Sequence, residues 1–107
     1  MIKMPDHSLI QTQIDAIEAE FKRLGWWSAE PLAAEAFENM GPFGQNTMSY
    51  SQWLQFVFVP RVRDAIRSLD FPGSSQVGIQ AIREFDGLDE AGRLIELLCE
   101  FDSLFQG

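Results

Sequence analysis

The stretch Trp53-Leu54-Gln55-Phe56-Val57-Phe58-Val59-Pro60 limits what this chain can fold into more than any other part of it. In a helix these residues are apolar on nearly every side, so other segments must wrap them. Pro60 lacks the N–H that would bond the Phe56 carbonyl and crowds that group, which predicts a kink or interruption between Phe56 and Pro60. Upstream, Ser49 and Gln52 form a Ser-x-x-Gln capping box, so this central helix should run from about Ser49 to Leu69. Beyond the proline Val62, Ile66 and Leu69 carry the apolar stripe, while Arg61, Arg63 and Arg67 fill the other faces.

The remaining segments supply the wrapping. Ile10, Ile14, Ile17, Phe21 and Leu24 recur at helical spacing behind the candidate caps Asp6 and Ser8, with Gly25 as the stop. Trp26-Trp27-Ser28 is a connection in which one indole should be partly exposed or clamp the loop. Pro31 and the apolar residues Leu32, Ala33, Ala34, Ala36 and Phe37 predict a short helix over about Ala29 to Asn39, broken by Gly41-Pro42-Phe43-Gly44. Val77 to Phe85 reads as a second short helix weakened by Gly78. A last helix should run from Asp89 to about Phe105, with Leu94, Leu98, Phe101 and Phe105 on one face. No strand alternation or hairpin signal interrupts this pattern. The expected class is all-α: a small antiparallel bundle of three long and two short helices, the central one kinked at its proline.

At 107 residues the chain has the length of one domain, taken as 1–107, and 46% hydrophobic residues are enough for a core. Sixteen acidic against eight basic side chains repel phosphate backbones, so direct nucleic-acid binding is not expected. The acidity is uneven. From Glu84 to Gly107 there are seven acids and only Arg93, which makes this end the place to seek a basic partner. Met1-Ile2-Lys3-Met4-Pro5-Asp6 lacks the apolar stretch of a secretory signal, and Phe56 to Pro60 is too short to span a bilayer. A soluble, cytoplasmic protein with no membrane association is the expectation.

One Cys and one His preclude a disulfide framework and leave too few ligands for a His/Cys zinc site. His7 lies between Asp6 and Ser8, but three neighbours in one turn cannot take up triad geometry, so it reads as an exposed or capping residue. Cys99 stands beside Glu96 and Glu100, and carboxylates raise a thiol's pKa, which favours a structural cysteine. Asp86-Gly87-Leu88-Asp89-Glu90 lacks the alternating ligands of a calcium loop and reads as a helix start. No cofactor, metal or catalytic residue is therefore expected. Arg61, Arg63 and Arg67 form the one local excess of positive charge, to be neutralised by an anionic partner or by the chain's own carboxylates. Trp26, Trp27 and Met48, where exposed, would serve as interaction anchors.

Pro42-Phe43-Gly44-Gln45-Asn46-Thr47-Met48, followed by Gln52-Trp53-Leu54-Gln55-Phe56-Val57-Phe58-Val59-Pro60-Arg61 and then Phe71-Pro72-Gly73, resembles the signature of the YqcC-like family of small uncharacterised bacterial proteins. The resemblance covers nearly the whole chain. It implies a helical bundle with no established activity, from a family whose genes often adjoin one for a tRNA pseudouridine synthase. Family members carry an acidic residue where this chain has Asn46, so a charged role there does not transfer.

In physical terms Asn46 and Thr47 can cap the approach to the central helix, and Gln55 or Arg61 could satisfy the Phe56 carbonyl. The candidate recognition site is Phe43, Asn46, Thr47, Met48, Trp53, Gln55, Pro60 and Arg61. The leading reading is a non-catalytic protein-interaction or accessory module, with a tRNA pseudouridine synthase as the suspected partner. The alternative is a small-ligand-binding bundle or enzyme whose pocket lies near the kink, lined by Phe43, Met48, Trp53 and Arg61.

Overall fold

The computed structural model describes residues 6–105; the reading of Met1 to Pro5 falls outside them. Within that range the chain is all helical, with four helices, two lone 3-10 turns and no strand. Helix α1, His7–Leu24, starts where Asp6 accepts a hydrogen bond from the Ser8 N–H and stops at Gly25, whose N–H returns to the Lys22 carbonyl. Its stripe Ile10, Ile14, Ile17 and Phe21 is fully buried.

Helix α2 occupies residues 50–68 and opens with the full Ser49–Gln52 capping box. It begins as Tyr50–Trp53, widens into a π turn over Leu54–Phe58 and ends as Val59–Ser68. Trp53, Leu54, Phe58 and Val59 all keep helical backbone angles. The chain adapts to Pro60 by lengthening its hydrogen bonds, so that the Val59 N–H reaches the Leu54 carbonyl five residues back. A π turn is thus the described feature ahead of the proline.

The short helix expected over Ala29 to Asn39 does not form. Only a 3-10 turn, Ala34–Phe37, stands there, and none of its residues is buried. Ala33 offers no side-chain cap, and without an apolar face under cover a short segment does not repay helix nucleation. A second 3-10 turn, Pro42–Gly44, precedes α2. Helix α3 is Val77–Glu84, and α4 is Gly92–Ser103, entered through the 3-10 turn Asp89–Ala91. Helix α4 packs on both α1 and α3, and α1 also packs on α2.

The join between α3 and α4 is held by one buried carboxylate. Asp102, on α4, accepts from the Val77 N–H at 3.0 Å, the Gly78 N–H at 2.8 Å and the Ser75 hydroxyl at 2.6 Å. These are first-turn amides of α3, which have no acceptor inside their own helix. The Tyr50 hydroxyl bonds the Val77 carbonyl at 2.7 Å, tying α2 to the same turn. Gly78 allows the approach: a Cβ there would stand 2.6 Å from the Cys99 backbone N and Cα. Replacing an ordinary helical glycine by alanine gains up to ~1 kcal/mol. Gly78→Ala should instead lose about 2 kcal/mol, because rigid backbone must move to relieve the overlap. Urea unfolding of the two chains checks the sign.

Candidate functional site

The loop before α2 is folded by its own polar side chains. Asn46 donates to the Asn39 carbonyl at 3.1 Å, and the Thr47 hydroxyl donates to the Ala36 carbonyl. Thr47 therefore fastens the loop to the preceding 3-10 turn and Asn46 to the segment just after that turn, whereas the cap of α2 comes from Ser49 and Gln52. Gly44, at φ 73°, could not carry a side chain: a Cβ would lie 2.8 Å from Met48 Cγ and from Trp53 Cδ1. Beside it Phe43 holds φ 59°, a conformation bulky residues rarely adopt. The result is a Phe43 ring set edge-on to Trp53 at 5.3 Å and to Tyr50 at 6.0 Å.

Tyr50 and Trp53 stack with rings 10° apart, and this pair separates two surface grooves. The first, about 500 Å³, is lined by Trp26, Phe43, Met48, Tyr50, Phe85 and Leu88, with Glu84 at its edge. The second, about 300 Å³, lies on the Trp53 side and is lined by Phe58, Val62, Phe71, Phe105 and the exposed Arg61. The single pocket expected from Phe43, Met48, Trp53 and Arg61 is thus two. Phe43 and Met48 belong to one, Trp53 and Arg61 to the other. Helix α3 walls both: Val77 at its start faces the second groove, Glu84 and Phe85 at its end the first.

Gln55 is buried and does neither of the things expected of it. Its side chain accepts from the Ser28 N–H at 2.9 Å and donates to the Ser28 carbonyl at 2.7 Å, bracketing the loop after the tryptophans. Neither Gln55 nor Arg61 bonds the Phe56 carbonyl among the described residues. Pro60 is exposed. Both tryptophans are half-buried and meet Phe21 edge-on at 6.2 and 6.1 Å; Trp26 also leans on Phe85, and Lys22 lies over Trp27.

The basic trio divides. Arg63 bridges to Asp15 and Glu18 on α1, and Arg67 pairs with Asp64. Arg61 has no ion pair among the described residues. Of the seven acids from Glu84 onward, Asp102 is buried, and Glu96 and Glu100 face Arg93. Glu84, Asp86, Asp89 and Glu90 remain exposed and without a cation partner among the described residues; Glu84 lines the first groove, and the other three flank its Leu88 in sequence. Burial pushes the Tyr50 phenol far up, helped by Asp102 and Glu84, so it stays protonated and donates. Burial, then Asp102 and Glu100, also push the Cys99 thiol up, away from a reactive thiolate. Among the described residues no three His, Cys, Asp or Glu side chains could hold a metal ion, and no helix is long and apolar enough to cross a membrane.

Sequence reasoning missed Tyr50, Phe85, Leu88 and Glu84 as members of the first groove. The one available signal was Leu88, an apolar residue set among acids in Asp86-Gly87-Leu88-Asp89-Glu90. It missed Phe71, Ser74 and Gln76 in the second groove because they reach it from a loop.

These features define an all-helical domain with two small surface grooves. The profile of the DUF446 family, described as "tRNA pseudouridine synthase C", matches residues 9–104, and the chain belongs to this YqcC-like family. An uncharacterized protein of Haemophilus influenzae is 38% identical over 55 residues, 51% of this chain and 52% of that one. The uncharacterized protein YqcC of Escherichia coli is 30% identical over 63 residues, 59% and 58% of the two chains. A protein named tRNA pseudouridine synthase C from Pectobacterium carotovorum is 31% identical over 65 residues, which are 61% of this chain but 17% of that longer one. The matched stretches thus span a little over half the length of the first two relatives. No solved structure matches.

The Arg63 bridge gives a pH-dependent prediction. Burial raises the Glu18 carboxyl, but hydrogen bonds from Arg63 and Lys22 outweigh it and hold the group below its ordinary 4.5. Asp15 is held below 3.8, first by Gln11 and then by Arg63. A lowered folded-state value contributes stability that is complete above the unfolded value and is lost as the pH falls through the lowered one. Arg63→Gln should therefore cost about 0.5–1 kcal/mol at pH 7 for these partly exposed groups. The gap between the two chains should close as the pH drops below 4.5, as read by denaturant titrations across that range.

Proposed function

We propose that the chain, acting over residues 1–107 as one domain, is a non-catalytic cytoplasmic module that docks on a tRNA pseudouridine synthase. One observation carries this reading: a stretch similar to this chain forms 17% of a protein named tRNA pseudouridine synthase C. There the two parts share a backbone, which gives a tethered domain millimolar effective concentration. Where module and enzyme are separate chains, a contact surface must be strong enough to replace that tether.

The first groove has the chemistry for one. Phe43, Met48 and Leu88 offer aromatic, thioether and branched anchors of the kind that dominate interface energetics. Glu84 in the groove lining and the exposed Asp86, Asp89 and Glu90 that flank Leu88 in sequence favour a partner segment bearing Lys or Arg among apolar residues, and the same charges repel tRNA. An enzyme that grips tRNA carries basic surface, so the module would pair with the protein and leave the RNA to it. In this reading Phe43, Met48 and Leu88 form the recognition face, Trp53 backs the Phe43 ring, Asn46 and Thr47 hold the loop, and Gln55 and Pro60 shape the helix beneath.

Mixing this chain with the tRNA pseudouridine synthase C of its own organism should give a 1:1 complex measurable by calorimetry. Met48→Asp and Leu88→Asp should each weaken it by about tenfold or more, the loss of one buried anchor. Glu84→Lys with Asp86→Lys should weaken it and flatten its salt dependence. No complex at tens of micromolar, or affinity indifferent to all four changes, rejects the reading.

A further inference from the structure

We propose that the second groove is a binding site for a free, compact, apolar monoanion: a small aromatic or branched carboxylate or sulfonate. This site is independent of the docking surface, on the far side of the Tyr50–Trp53 stack.

Its shape and lining point to a small apolar body. A volume of about 300 Å³ is at the lower end for ligand sites. It is roughly ten times the share of a water molecule, too little for a long acyl chain. Val62, Phe71, Phe101 and Phe105 form walls with no polar side-chain atom. Such a lining favours a ring or a branched chain over a polar metabolite.

The polar part of the lining sets the charge. Arg61 lines the groove and, in a chain with twice as many acids as bases, has no carboxylate partner among the described residues. The other arginines of α2 show what happens otherwise: Arg63 and Arg67 are both taken by carboxylates. Asp102 lies below the same loop, but its oxygens accept from Ser75, Val77 and Gly78 and do not turn to Arg61. Ser74 and Gln76 also line the groove, and their side chains make no hydrogen bond among the described residues. One guanidinium fork and two neutral donors thus share one groove with apolar walls, a set suited to a planar carboxylate or a sulfonate over an apolar body.

The test is a titration of 15N-labelled chain, followed by NMR, with 2-naphthalenesulfonate and with its neutral counterpart 2-naphthalenesulfonamide. The sulfonate should give saturable shifts at Ala65 and Val77 and bind about fivefold tighter than the sulfonamide, as expected for one partly exposed ion pair. Arg61→Gln, at an exposed position that leaves the core untouched, should bring the two ligands to equal affinity. Arg83→Gln, which removes an arginine outside the groove, should leave the preference intact. Absence of saturable shifts at Ala65 and Val77 overturns the proposal. So does equal affinity for both ligands in the unaltered chain, or a preference that survives Arg61→Gln.

Discussion

Three hydrogen bonds to the Asp102 carboxylate fix the first turn of α3, and both grooves depend on where that turn lies. Helix α3 has only eight residues, too few to be stable alone. Its position comes from outside: Asp102 holds the orphan amides, Tyr50 holds the Val77 carbonyl, and Gly78 lets the backbone settle against Cys99. Hydrogen bonds to a charged acceptor contribute about 1.5–3 kcal/mol each. From this anchored start α3 presents Val77 to one groove and Phe85 to the other.

The two grooves are opposite in charge. The larger is lined by the exposed Glu84, the smaller by Arg61. Net charge alone predicts a uniformly acidic surface. The separation arises because the chain's ion pairs consume most arginines and three of the last seven acids are buried or paired. The proposed basic partner segment and the proposed small anion would thus meet opposite charges, on two sides of a single aromatic stack.

What could be read from the residues was what is local in sequence. The α1 stripe, its caps and the Ser49–Gln52 box involve neighbours three or four apart, so their spacing reveals them. The Asp102 cap was not legible, because donor and acceptor lie 24 or more residues apart and no motif joins them. Gln55 is the same case: its polarity in an apolar run was visible, but its partner Ser28 is 27 residues away. Ala29 to Asn39 had the composition of a helix without a buried face, and propensity alone did not decide it. Phe43, Met48, Trp53 and Arg61 were expected around one pocket, and only the fold shows that the first two line one groove and the last two another.

Amide hydrogen exchange at Val77 and Gly78 tests the anchoring of α3 most directly. First-turn amides of an ordinary helix exchange quickly, for want of an acceptor. With Asp102 holding them, both should exchange only on global unfolding, as slowly as the buried Leu97 and Leu98 amides of α4. Exchange at the rate of the exposed turn around Asp86 and Gly87 would contradict it.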